Sequence, residues 1–287
     1  MIPDLIYDVG MNNGDDTAYY LNRGFRVVAI EAEPSLVSKG HERFREEIIA
    51  GRLRILNIAV AEKAGVLPFW ICETHSEWNS FNREIASRDG CPHHQIEVEC
   101  RPFRSILAEF GVPYYLKIDI EGHDHFCVEA LEIADLPKYI SVENSRKIIS
   151  LLPRFMELGY TGFKCISQLN FLPLELPPSK EQKYYERMSY LLKSKKIGVK
   201  ILNRLGVWKQ PLPQLTRVQK VKDWSFPLGS SGPFGDDTPG RWQTFEEMIE
   251  VFNYYEKCFQ EHKPSPFWDN RNYSFWMDFH FRKEANP

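Results

Sequence analysis

The sequence predicts an α/β fold of Rossmann-like type, a mostly parallel sheet with helices on both faces. Three observations predict it. Short apolar or β-branched runs alternate with stretches of helical period from the N-terminus to about Ser167. Glycine or proline marks many of the junctions, as at Gly24, Pro34 and Gly51. Acidic and polar residues gather where the apolar runs end, at Asp8, Glu31, Asn57 and Asp119, which is where open α/β sheets hold their ligands.

In order, "DLIYDVG" predicts a first strand and "DDTAYYLNRGF" a helix that stops at Gly24. "RVVAIEAEP" predicts a second strand closed by Pro34, and "SLVSKGHERFREEIIAG" one amphipathic helix capped by Ser35 and ended by Gly51. "RLRILNIAV" predicts a third strand. "GVLPFWICE" and "HQIEVECRPF" predict extra strands or a hairpin instead of another strand–helix unit. The alternation resumes with helix "SILAEFG", strand "YYLKIDIEG", helix "DHFCVEALEIA" and strand "KYISVEN". Helix "RKIISLLPRFMELGY" and strand "TGFKCISQ" follow.

From about Leu172 the composition changes. "LPLELPPSK" reads as a proline-rich hinge, and residues 180–222 hold 12 Lys/Arg against only Glu181 and Glu186. That stretch, with Tyr184, Tyr185, Met188, Leu191 and Leu192 at helical spacing, reads as a solvated amphipathic helix or as a basic wall for an anionic acceptor. "GSSGPFGDD" reads as a mobile lid or a long connection, and Trp268, Phe275 and Trp276 as core packing or an acceptor-lining group. The expected organisation is a core over 1–171, an insertion or cap over 172–275, and a return edge strand and tail over 276–287.

The net charge of −3 over 287 residues argues against nucleic acid as main partner. No apolar run approaches the roughly 18 residues of a membrane span, and "MIPDLIYDVG" is too short and acidic for a secretory signal, so a cytoplasmic location is expected. The six cysteines form no CxxC pair and no metal-type spacing. They are expected to be reduced thiols, although spacing alone does not exclude a disulfide.

The turn after the first strand reads Asp8-Val9-Gly10-Met11-Asn12-Asn13-Gly14, or DxGxNxG. A nicotinamide-binding turn would be GxGxxG, and a phosphate-binding loop would continue into Gly-Lys-Ser/Thr. Asp8 would repel a pyrophosphate but would accept an ammonium or another donor. Glu31 closes the second strand, placed to accept hydrogen bonds from ribose hydroxyls. Ribose plus an amino-acid moiety points to S-adenosylmethionine. The plain alternative is that Gly10 and Gly14 serve strand–helix packing and Glu31 is a surface acid.

With these residues assembled, the chain resembles the FkbM family of S-adenosylmethionine-dependent methyltransferases, whose fold is the class I methyltransferase sheet. The resemblance rests on "DVGMNNG", "VVAIEAEP", "NIAVAEKAGVLPFW" and "LKIDIEGHD", spread over residues 5 to about 145. Asp124 stands where the family usually has Glu, and "RPFRSIL" lacks its Leu-Asp. The resemblance implies methyl transfer, commonly to a hydroxyl of a sugar or natural product. By position it implies that Asp8, Gly10, Asn12, Gly14 and Thr17 hold the methionine part, Glu31 the ribose, and Asn57 with Ala59 the adenine edge. Asp119 closes the central strand beside them, a further cofactor-binding candidate.

For chemistry, "YYLKIDIEGHDHF" puts Lys117, Asp119 and Glu121 on one face of a central strand. Methyl transfer to an alcohol needs alignment and a base for the acceptor proton. His123 is the first candidate, oriented by Asp124 or Asp119, with His125 and His280 as alternatives. Asp119, Glu143 and Asn144 are candidate Mg²⁺ ligands, against the reading that Glu143 and Asn144 cap the next helix. The competing functions are a nicotinamide-dependent oxidoreductase, disfavoured by DxGxNxG, and a cofactor-binding protein without catalysis.

Overall fold

A computed structural model of the chain describes residues 1–180, 182–184, 220–221, 223–227, 229–263, 265–268 and 275–284. The described residues divide into two compact units, Met1–Thr161 with Phe281–Pro287, and Gly162–His280. The fold class is α/β and Rossmann-like.

In the first unit, β1 (Ile2–Val9), β2 (Arg26–Glu31), β3 (Leu53–Asn57), β7 (Pro113–Ile118) and β8 (Tyr139–Glu143) lie in the order β3-β2-β1-β7-β8. Every pairing among them is parallel. Leu5–Val9 and Val27–Glu31 are buried without a break. Parallel strands covered on both faces read as continuous apolar runs, so the sequence pattern and the burial agree. The helices here are α1 (Asp15–Asn22), α2 (Pro34–Arg43), α3 (Arg45–Ile49), α4 (Arg83–Ala86), α5 (Phe103–Phe110), α6 (Asp124–Glu129) and α7 (Arg146–Glu157).

Several expected elements are subdivided or shortened. The helix expected after Pro34 breaks at Phe44, whose φ of −113° is not helical. Glu33, not Ser35, precedes its first turn, and the Ser35 hydroxyl donates to the Glu33 carboxylate. The third strand splits at Ile58. Its second piece, β4 (Ala59–Val60), leaves β3 to join a separate three-stranded sheet, β4-β6-β5, with β5 (Gly65–Cys72) and β6 (His93–Arg101). β5 and β6 pair as an antiparallel ladder from Gly65–Cys100 to Cys72–His93. The helix expected over 124–134 stops at Glu129, and Arg154 donates to the carbonyls of Val128, Glu129 and Leu131 there. One side chain thus serves backbone acceptors that a longer helix would have satisfied internally. Ser145, not Glu143 or Asn144, caps α7, its hydroxyl accepting from the Ile148 amide.

The cysteine expectation is corrected at one pair: Cys72 and Cys91 form a disulfide at the open end of the β5–β6 ladder. Strand pairing brings together two residues separated by 19 positions, a relation that CxxC spacing does not reveal. Cys100, Cys127, Cys165 and Cys258 are free and buried.

The second unit holds β9 (Gly162–Ser167), the short pair β10 (Lys220–Val221) and β11 (Trp224–Ser225), α8 (Phe245–Gln260) and most of β12 (Met277–Arg282), which neighbours β9. α8 starts with a reciprocal cap between Thr244 and Glu247. Lys164 is buried in this unit; its ammonium donates to the Thr238 hydroxyl and carbonyl and lies 4.3 Å from the Trp242 ring centre. Trp268, only 2% exposed, packs its ring against Phe259 and Phe275, which favours core packing over an acceptor-lining role. Residues 230–235 are buried too, so the segment read as a lid is packed. Nearly all of the basic 180–222 stretch lies outside the described residues. No helix among the described residues is long and apolar enough to cross a membrane.

Candidate functional site

The site is built on the carboxyl ends of β1, β2, β3 and β7. The β1 turn leaves the strand through Gly10 at φ +90°. A Cβ on Gly10 would lie 1.8 Å from the Asp119 carbonyl oxygen, and one on Gly14 would lie 2.6 Å from the Phe44 ring. Both glycines are therefore required by neighbouring protein, the first by the chain leaving β7 and the second by the end of α2. Between them Asn12 adopts φ +49°, a left-handed conformation that asparagine tolerates better than most residues.

Glu31 ends β2 directly opposite this turn. Its Oε2 accepts from the Asn12 amide at 2.8 Å and its Oε1 from the Glu33 amide at 2.9 Å. Burial pushes its pKa up to about 7, against the lowering effect of those two amides. A carboxylate has about four lone-pair sites, so each oxygen keeps capacity for a further donor. Asn57 is exposed at the end of β3, and its amide donates to the carbonyls of Glu31 and Ala32, which fixes the chain that follows Glu31. Ala59 is buried among Phe69, Ile71, Val98 and Cys100 in the core of the smaller sheet, against which Ala32 at the end of β2 packs.

Asp8 is not open to a ligand. It is fully buried, accepts from the Thr17 hydroxyl at 2.6 Å, and lies 3.2 Å from the Lys117 ammonium. The ammonium expected to meet Asp8 is thus one from the chain itself, supplied by β7. Thr17, also fully buried, acts by holding Asp8. Lys117 further donates to the Gly10 carbonyl and lies 3.8 Å from Asp16 and 3.6 Å from Asp119. Burial alone would lower its pKa, but the carboxylates of Asp8, Asp119 and Asp16 outweigh it and hold the ammonium charged. One buried cation therefore faces three carboxylates, and Asp119, 34% exposed at its side chain, is the most open of them.

The chain after β7 turns sharply through Glu121 at φ +45° and Gly122 at φ +99°. Asp124 folds back under this turn and accepts from the Ile120 and Gly122 amides, both at 3.0 Å. It is 2% exposed, and burial raises its pKa. The expected pairing of Asp124 or Asp119 with His123 does not occur: one carboxylate holds the turn and the other faces Lys117. His123 is oriented instead by its Nδ1–H, which donates to the Val60 carbonyl at 3.3 Å, and by stacking on Phe81 at 4.1 Å between ring centres. That bond fixes the tautomer and leaves Nε2 as the acceptor nitrogen. Burial lowers the His123 pKa, so the ring is neutral near pH 7. His125 lies beside Lys147 and has a lowered pKa from burial first and that ammonium second. His280 is buried in the second unit, where burial pushes its pKa down to about 3.

Glu121, expected on the strand face of Lys117 and Asp119 but given no role in the site, lies in the turn after β7. Its carboxylate lies 3.7 Å from Arg88 and is 20% exposed, and burial with the neighbouring Asp119 charge pushes its pKa up to about 8. The strand ends at Ile118, so Glu121 does not share a strand face with Lys117 and comes near Arg88 through the turn instead. Among the described residues no group of three or more His, Cys, Asp or Glu side chains is arranged to hold a metal ion, so Asp119 and Glu143 gain no support as ligands.

Residues 8–160 match the methyltransferase FkbM domain family. That is just over half of the chain. The chain belongs to this family. Solved structures with a partial likeness include the methyltransferase FkbM from Methylobacillus flagellatus KT, 17% identical, with TM-score 0.39, covering 55% of this chain and 38% of that one. The C-terminal domain of precorrin-6Y C5,15-methyltransferase from Rhodobacter capsulatus is 12% identical, with TM-score 0.34, covering 58% of this chain and 67% of that one. An rRNA methylase from Streptococcus thermophilus is 13% identical, with TM-score 0.33, covering 57% and 75%. The chain thus spans well under half of the first of these proteins. No curated protein matches it. The FkbM domain match takes in every strand end described above, and it stops at the boundary of the first unit.

Proposed function

We propose that this FkbM-family chain is an S-adenosylmethionine-dependent O-methyltransferase acting on a hydroxyl of a sugar or natural product. The observation that carries the reading is Glu31, a buried carboxylate at the end of β2 whose two oxygens are held by the Asn12 and Glu33 amides. The residues present fit the cofactor. Glu31 retains lone pairs for the two ribose hydroxyls, and the open Asn57 side chain lies at the next strand end. The carboxylate excess around Lys117, opening outward at Asp119, favours a cationic ligand over a pyrophosphate. When bound, S-adenosylmethionine supplies an electrophilic methyl group on a sulfonium.

The chain's own residues then have defined tasks. The β1 turn and Glu31 fix the ribose end, and Asp119 faces the cationic end. His123, neutral and with Nε2 as its acceptor, takes the proton of the attacking hydroxyl. Asp124 acts on the turn geometry alone. The acidic net charge supports a small-molecule or glycan acceptor over nucleic acid, and the basic 180–222 sequence supports an anionic one.

Isothermal calorimetry with S-adenosylhomocysteine and with NAD tests the cofactor reading. Binding of the first only is expected, and Glu31→Gln should weaken it at least tenfold, since a neutral amide accepts from ribose hydroxyls with one oxygen only. Tight binding of NAD with none of S-adenosylhomocysteine would support the oxidoreductase alternative instead.

A further inference from the structure

Between Cys72 and Cys91 the β5–β6 ladder does not close with a short turn. Residues 73–90 instead form an excursion of two 3₁₀ turns, Ser76–Trp78 and Arg88–Gly90, around α4. The disulfide ties its two feet together. Its side chains reach the turns that follow β1, β2 and β7. The Ser76 hydroxyl donates to Asn12 Oδ1 at 2.7 Å, and Asn79 Nδ2 donates to Glu33 Oε2 at 2.5 Å. The Ser80 hydroxyl donates to the Glu121 carbonyl at 2.7 Å, and Arg88 faces the Glu121 carboxylate. Asn79 and Ser80 are 9% and 0% exposed, and Asn79 Oδ1 accepts from the Cys72 amide at 2.9 Å, which couples this contact to the disulfide itself.

The two residues held by Ser76 and Asn79 are those whose backbone amides orient Glu31. Asn12 donates to one carboxylate oxygen and Glu33 to the other. Asn12 sits in a left-handed conformation, which persists when its surroundings hold it there. The excursion therefore forms a second layer around Glu31 with two arms, one for each oxygen.

We propose that residues 73–90, clamped by the Cys72–Cys91 disulfide, are a positioning element of the cofactor site, in which Ser76 and Asn79 set cofactor affinity by fixing Asn12 and Glu33. This rests on the reading of the site as one for S-adenosylmethionine. Outer hydrogen bonds orient the groups that bind, and at metal sites losing one costs roughly tenfold or more in affinity.

The test is calorimetric titration of the full chain with S-adenosylhomocysteine, paired with thermal unfolding without ligand. Wild-type binding comes first, because its absence overturns the cofactor reading and not only this inference. Given that binding, Ser76→Ala and Asn79→Ala are each expected to weaken it about tenfold, with Ser76→Thr restoring most of the loss. Cys72→Ser with Cys91→Ser should weaken binding similarly even where the protein stays folded. Should that pair not fold, the single hydroxyl and amide variants, which keep the disulfide, still decide. Lowered unfolding midpoints with unchanged affinity would show a purely structural excursion and would overturn the proposal.

Discussion

His123 carries its assignment on tautomer and burial. Donation from Nδ1 to the Val60 carbonyl leaves the Nε2 lone pair, and a lowered pKa keeps that lone pair available near neutrality. Without an Asp124–His123 contact and with its pKa lowered by burial, the ring is neutral and its lone pair free, but it is a weaker base than a carboxylate-paired imidazole. His123→Ala is expected to reduce turnover by about 10²–10⁴-fold while S-adenosylhomocysteine affinity stays within about twofold. Steady-state kinetics with a labelled methyl group, set beside calorimetry, separates the two. A variant that loses binding but keeps turnover would remove His123 from the role. At the same scale, Asp8, expected to meet a ligand's ammonium, meets one from the chain itself. Its place at the end of β1 was legible in "YDVG". Its pairing with Lys117 was not, because the register that brings Asp8 beside Lys117 exists only once β1 and β7 pair.

The β1 turn and the chain leaving β7 are one interlocked element. The Asp119 amide donates to the Val9 carbonyl, and the Lys117 ammonium to the Gly10 carbonyl. Gly10 gives them room, since its missing side chain is what lets the Asp119 carbonyl come close. Gly10→Ala would combine a backbone clash with an unfavourable φ, so a loss of about 4 kcal/mol or more in urea unfolding is expected. A loss under about 1 kcal/mol would mean that the two turns part easily, and the site would lose its rigid floor. Strand and helix identities were legible here because period and burial agree, as in "VVAIE" and "LIYDV". Boundaries were less so. Nothing in "ILNIAV" marks the transfer from one sheet to another, as Ile58 is neither glycine nor proline. The early end of α6 depends on Arg154, 25 positions beyond Glu129. The disulfide likewise follows from a ladder whose register is set by pairing, and closing its loop should contribute about 3 kcal/mol to stability.

Across the whole chain, acidity is distributed so that the site has a cost at neutral pH. Burial raises Glu31 to about 7 and Glu121 to about 8, whereas both would ionise near 4.5 when unfolded. Each contributes stability in full below about pH 4.5, and that contribution is lost as pH rises through 7 and 8. His123, His125 and His280 act in the opposite sense, since their native pKa values are lowered and their stability is lost as pH falls below about 6.5. From about pH 7.5 the histidines are neutral in both states and the carboxyl groups set the slope; between about 6.5 and 7.5 the last of the histidine titration partly offsets it. Stability is therefore expected to fall between pH 6.5 and 8.5, by up to about 1.4 kcal/mol per pH unit for each carboxyl group still titrating, or roughly 2 kcal/mol net of the histidines. Urea unfolding at half-unit steps measures this, and the Glu31→Gln, Glu121→Gln double variant should flatten the slope over that window. Stability that rises from pH 6.5 to 8.5 in the wild type would mean both carboxylates are ionised in the native state. In that case Glu31 would meet a ribose as a full anion, and its affinity for S-adenosylhomocysteine would no longer weaken as pH is lowered from 8 to 6.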